Sequence, residues 1–89
     1  MIRATILMRT EIPSHGGSSS QLKKVLAELR SYPGITEAFV MYGRFDIVVQ
    51  MKLERFKDIV TTATKIKSIP QVHSTETLIE VDQTLIDES

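Results

Sequence analysis

Cysteine is absent from this 89-residue chain. That excludes disulfides, thiolate metal sites and cysteine nucleophiles. Neither sign of charge is in excess, since 11 Lys and Arg face 11 Asp and Glu. Nucleic-acid binders usually carry a strongly basic face, whereas the cations here are scattered from Arg3 to Lys67. Zero net charge also leaves little self-repulsion to keep copies of the chain apart. No apolar run approaches the ~18 residues that span a bilayer. The chain opens directly on a strand-like pattern, without the basic and apolar segments of a signal peptide. These features together read as a cytoplasmic protein with no membrane association.

A chain this short makes one domain. Such a domain buries only about 60–65% of the surface its unfolded chain exposes. Association with further copies would supplement a thin core.

Residues 2–10 alternate, with Ile2, Ala4, Ile6 and Met8 on one face and Arg3, Thr5 and Arg9 on the other. Period two predicts a half-buried strand. Pro13, His15, Gly16, Gly17 and the following serines predict a loop. Ser18 and Gln21 fit a capping box. Behind it Leu22, Val25, Leu26 and Leu29 form one apolar stripe on a helix. That helix stops near Tyr32, because Pro33 disfavours helical geometry in the residue before it. Residues 35–42 and 44–53 predict two strands joined at Gly43 as a hairpin. Phe56, Ile59, Val60, Ala63 and Ile66 return to helical spacing over 54–68, and residues 71–82 alternate again.

The order is strand, helix, strand, strand, helix, strand. Ser31-Tyr-Pro-Gly-Ile35 is echoed by Ser68-Ile-Pro-Gln-Val72, each ending a helix at proline and handing over to a strand. Two βαβ units in tandem, with right-handed crossovers, give the ferredoxin-like α+β fold βαββαβ. Its sheet has four antiparallel strands with both helices on one face. The domain is expected over 1–82, with 83–89 as a short acidic tail.

Phe45, Ile47, Val49, Met51 and Leu53 make one apolar face in the third strand, expected under the helices. The opposite face carries Val48, with Ala38, Val40, Tyr42 and Leu78 as its expected neighbours. A water-facing sheet surface should be mostly polar. A mixed apolar one predicts cover by a second copy, hence a dimeric α/β sandwich.

No catalytic constellation emerges. His15 and His73 are far apart and lack the partners of a metal site. No G-x-S-x-G elbow or phosphate-loop spacing occurs. Glu76, Glu80 and Asp82 share a strand face, a spacing more often a solvated strip than a cation site. No cofactor is expected.

Tyr42-Gly-Arg-Phe-Asp46-Ile-Val-Val49 resembles the G-x-x-D hairpin in the effector-binding (RAM) domain of the Lrp/AsnC transcription regulators. Ser74-Thr-Glu-Thr-Leu-Ile79 is similar to that family's S-T-x-T stretch, and Tyr32-Pro-Gly-Ile-Thr-Glu-Ala-Phe-Val40 to its turn into the second strand. The resemblance covers residues 2–81. It implies dimers joined through their sheets, often a ring of four dimers, and amino-acid effectors held at subunit interfaces near the hairpin. It implies ligand contacts from Tyr42, Gly43, Asp46, Thr75 and Thr77. The family's full-length regulators add a helix-turn-helix that these residues lack, so the chain resembles the stand-alone domain and is not expected to bind DNA directly. Full-length regulators of the family become candidate partners. The segment 11–20 is longer than the family's usual loop.

The chemistry fits a zwitterion. Asp46 offers a charge-assisted acceptor for an ammonium, and the backbone around Gly43 offers donors for a carboxylate. Thr75 and Thr77 offer hydroxyls. Each residue also has a plainer role: Asp46 as a hairpin cap, the threonines as strand formers. Two alternatives to an effector module therefore stand: a purely structural oligomerisation domain, and a small dimeric αβ-barrel enzyme. The barrel enzyme would need a catalytic pair that the sequence does not offer.

Overall fold

A computed structural model describes residues 1–11 and 19–81. The elements run β1 (Ile2–Thr10), α1 (Ser19–Ser31), β2 (Ile35–Val40), β3 (Ile47–Leu53), α2 (Phe56–Lys67) and β4 (Val72–Ile79). The order is the expected βαββαβ. The strands lie β2-β3-β1-β4, and every neighbouring pair is antiparallel. The expected capping serine Ser18, the His15 loop and the 83–89 tail lie outside the described residues.

The core follows from the two periodicities. Ala4, Ile6 and Met8 of β1 pair with Met51, Val49 and Ile47 of β3, so all six point to one side of the sheet. Val25 and Leu29 of α1, with Ile59 and Ile66 of α2, join them in a single buried cluster. Both helices therefore cover the same face. Pro70 follows α2, and Ser68 closes its last turn with its N–H directed back at Thr64 and Lys65. Among the described residues no helix is long and apolar enough to cross a membrane.

Gly34 carries the chain from α1 into β2 at φ +85°. Its carbonyl accepts the Lys52 N–H at 2.8 Å. A side chain there would run into Leu53, whose Cγ lies 2.7 Å from the position a Cβ would take. Positive φ and close approach together demand glycine.

The second face of the sheet differs from expectation. The β2–β3 register shifts between Ile35 and Glu37, so that Ile35 opposes Met51 while Ala38 opposes Val49. Two residues three apart thus point to the same side, which a regular strand forbids. The bulge turns Ala38 and Val40 to the helix side, and Tyr42 leaves the sheet altogether. Phe39 takes their place on the open face. It pairs with Val48, and Val48 pairs on its other side with Leu7. This row of three hydrophobic side chains runs across the open face, with Leu78 beside it on β4 opposite Thr5. Phe45 also departs from expectation, since β3 begins only at Ile47 and Phe45 belongs to the connection before it.

The charged end of the open face is held by Arg3. Its guanidinium meets the Glu80 carboxylate at 3.0 Å, and its carbonyl accepts the Glu80 N–H at 2.9 Å. Glu80 is thereby committed to an ion pair. Among the described residues no cluster of three or more His, Asp or Glu side chains can hold a metal.

Candidate functional site

Residues 41–46 connect β2 to β3, closed by the Met41 N–H on the Asp46 carbonyl at 2.7 Å. Gly43 sits in this connection at φ +143°, with no atom within 4 Å of where a Cβ would stand. Its requirement for glycine is conformational, because L side chains rarely adopt that φ. Tyr42 beside it is fully exposed.

The connection is tied to the end of β1. Asp46 donates its N–H to the Met8 carbonyl at 2.8 Å, and Arg9 Nε donates to the Arg44 carbonyl at 2.8 Å. The Asp46 side chain is half-buried. Its Oδ2 accepts the Thr10 N–H at 2.8 Å and, more distantly, the Thr10 hydroxyl at 3.4 Å. Thr10 needs this partner because its N–H faces the β3 side, where the ladder ends at the pair Met8–Ile47. On the other side the β1–β4 ladder shifts: Arg9 opposes Ser74 while Thr10 opposes Val72. The skipped residue, His73, meets Glu11 at 3.1 Å. Asp46 is therefore a carboxylate fixed in position by the end of β1, on a turn whose glycine leaves the backbone open to approach.

Thr75 and Thr77 lie elsewhere. Thr75 opposes Met8 and Thr77 opposes Ile6, which turns both toward the helices. There they line a groove of about 370 Å³ between β4 and α2, walled by Val60, Ala63 and Ile79 and bordered by Lys67. The structure thus divides the five expected residues. Tyr42, Gly43 and Asp46 form one group on the β2–β3 connection, and Thr75 and Thr77 form a second on β4, with β1 between them. Two strand spacings, about 10 Å, separate the groups within one chain. Both occur near the C-terminal end of β1.

Two contributors escape a reading of the sequence. Thr10 becomes Asp46's partner only because β3 begins at Ile47 and leaves the end of β1 unpaired on that side, which no local pattern announces. Lys67 reaches the groove because Val60, Thr64 and Lys67 recur along one flank of α2. That spacing was visible, but the side of the sheet it would border was not.

The sequence matches the Lrp/AsnC ligand binding domain over residues 6–88. No curated protein matches the chain. Among solved structures, FFRP-DM1 is 30% identical at a TM-score of 0.72, covering 91% of this chain and 100% of that one. PHS023, a hypothetical protein from Pyrococcus horikoshii, is 31% identical at a TM-score of 0.75, covering 92% of each chain. The transcriptional regulator NMB0573 of Neisseria meningitidis, solved as an L-Met complex, shares the fold at a TM-score of 0.69 with 12% identity. That match covers 92% of this chain and 51% of the regulator, so the chain spans about half of the regulator's length. With the second half of β1 and every later element inside the matched span, the chain belongs to the Lrp/AsnC ligand binding domain family.

Proposed function

We propose that this domain senses a small amino acid and passes its occupancy on through assembly with other subunits. The observation that carries the reading is the Asp46 carboxylate, fixed by the Thr10 N–H at 2.8 Å on a turn opened by Gly43. A preorganised carboxylate suits an ammonium, and the glycine backbone suits a carboxylate. Tyr42 walls the site. The L-Met bound to the related Neisseria regulator supports an amino acid as the ligand class. Thr75 and Thr77 stand across β1 from Asp46, so they complete the pocket from a neighbouring subunit at a junction between copies.

The row Leu7–Val48–Phe39 on the open face supports pairing of two sheets into a dimer, and such dimers assemble into an octameric ring. The domain of residues 1–82 then works in the cytoplasm in the control of amino-acid metabolism, beside full-length regulators of its family. It does not bind DNA itself: its net charge is zero and both helices are engaged on the sheet. Sequence-specific retardation of a promoter fragment by the pure protein at physiological salt would contradict that.

A thermal-shift screen of the twenty amino acids tests the ligand. A molecule that binds only the folded state stabilises it by about 2.7 kcal/mol at a hundredfold excess over its dissociation constant. One specific observation favours a second reading. Asp46 already serves the fold through Thr10, so a purely structural oligomerisation domain also accounts for it. If no amino acid raises the melting temperature at millimolar concentration, that reading replaces the first.

A further inference from the structure

The polar end of the open face sets two cations against each other. Arg3 of β1 and Lys52 of β3 are cross-strand partners. The Arg3 carbonyl faces β4, where it accepts the Glu80 N–H at 2.9 Å. The Lys52 N–H faces β2, where it meets the Gly34 carbonyl at 2.8 Å. The two residues therefore share no backbone hydrogen bond. Such a pair is the narrow kind, with Cα atoms about 4.5 Å apart and side chains close together. Like charges directly opposite one another destabilise a sheet. Glu80 relieves one of them: its carboxylate meets Arg3 at 3.0 Å, and among the described residues Lys52 has no carboxylate partner. Thr5 and Gln50, the pair two residues further along, bring a hydroxyl and an amide to the same face. With Thr36 these side chains line a cleft of about 310 Å³. Thr36 donates its hydroxyl to the Gln50 carbonyl at 3.2 Å, so its proton is already used.

We propose that this cleft is an anion site that takes a phosphate group, either free or carried as the monoester of a small molecule. The phosphate oxygens sit between the two cations. The Arg3 guanidinium reaches them with the N–H groups that Glu80 leaves free, and the Lys52 ammonium meets them as a point charge. The Gln50 amide and the Thr5 hydroxyl add neutral donors. Two cations against one carboxylate leave the cleft a net charge of plus one, and a phosphate carries about −1.5 to −2 at pH 7. A bound phosphate thus turns a repelling pair into a bridged one. Solvent accounts for either cation alone, but not for their placement face to face on adjacent strands. The cleft shares no residue with the Asp46 turn, which lies beyond the other end of β1. Four residues, about 13 Å, separate Arg3 from Leu7, so the cleft stands at the margin of the apolar row on this face.

Calorimetry with inorganic phosphate on the intact protein, at constant ionic strength, tests the proposal. Phosphate is expected to bind at millimolar concentration or below, and acetate, with half the charge or less, more weakly. Lys52→Met should weaken phosphate about fivefold or more, the loss expected for one exposed charged contact. Lys52→Arg should keep it, and Glu80→Gln should tighten it by freeing Arg3. Lys52 is exposed, and Lys52→Met removes a repulsion, so its melting temperature without phosphate should not fall below the parent's. Lys57→Met loses the same charge on exposed α2, outside the cleft, and should leave phosphate binding unchanged. Glycerol 3-phosphate separates the two sources: tighter binding than inorganic phosphate points to a monoester, equal or weaker binding to the free ion. Three results would overturn the proposal. They are no binding of either compound at millimolar concentration, acetate binding as tightly as phosphate, and Lys52→Met losing no more affinity than Lys57→Met.

Discussion

Thr10 and Asp46 are 36 positions apart in the chain, yet the backbone N–H of one rests on the carboxylate of the other at 2.8 Å. The β1–β3 ladder stops at Met8 and Ile47, which leaves that N–H in need of a partner, and Asp46 supplies it. The carboxylate proposed to bind a ligand is therefore also part of the fold.

Asp46→Ala should consequently show two effects. Ligand binding should fall about ten- to hundredfold, for loss of a hydrogen bond to a charged group. Stability should fall by about 1–2 kcal/mol, because the half-buried Thr10 N–H loses its acceptor. Asp46→Asn keeps an oxygen for Thr10 and removes the charge, so it should lose binding with most of the stability retained. Urea unfolding and calorimetry on both variants measure the two effects. An Asn variant that binds as well as the parent would place the site elsewhere.

The two positive-φ glycines should respond differently to alanine. At Gly43 only the backbone resists, since nothing lies within 4 Å of a Cβ there, and the cost should be about 1–2 kcal/mol. At Gly34 the same strain adds to a clash with Leu53, so the loss should be larger. Gly43→Val should exceed Gly43→Ala, because branching at Cβ resists positive φ further. Denaturant midpoints rank the three.

Leu78 tests the assembly. It is 50% exposed in the single chain, on the open face opposite Thr5. Leu78→Glu should leave the subunit fold within about 0.5 kcal/mol. It should nonetheless split a dimer joined through the sheets, because it buries an unpaired charge. Light scattering should give multiples of 10.0 kDa for the parent and a smaller species for the variant. A parent mass near 10 kDa at micromolar concentration would end the dimer reading.

Tyr32 supplies an alkaline signature. Burial, then the hydrogen bond to Glu28 at 3.1 Å and the charge of that carboxylate, raise its phenol above the usual 10.0. A raised folded-state value means the folded protein holds this proton more tightly than the unfolded chain. Its contribution is complete below pH ~10 and is lost as pH rises through the folded value. Tyr32→Phe should therefore lose less stability than the parent as pH rises above about 10. Parallel losses in thermal melts would show that Tyr32 contributes nothing.

The element order was legible because each segment declares its period: Ile2 to Met8 at two, Leu22 to Leu29 at 3.6. The face of β2 was not. One extra residue between Ile35 and Glu37 inverts the alternation, putting Ala38 in the core and Phe39 on the open face. A bulge is a property of a strand pair, and a single strand's sequence does not display it. The site residues followed the same division. Asp46 and the threonines stand out by type, but their separation is set by strand order, which places β1 between β3 and β4. Lys67 does not stand out in the sequence, because a lysine in the last turn of a helix already has an ordinary reason to be there.

The pairing of Ala4 with Ile79, clipped by Arg3 and Glu80, brings the two ends of the described fold side by side. The Asp46 turn lies at the opposite pole. The nine residues of β1 separate the two poles by about 25 Å. A domain joined ahead of β1 would emerge at the Arg3 pole, remote from the Asp46 turn in its own subunit. News of a ligand would reach such a domain either along the length of the sheet or sideways, from a neighbouring copy whose turn happens to sit closer.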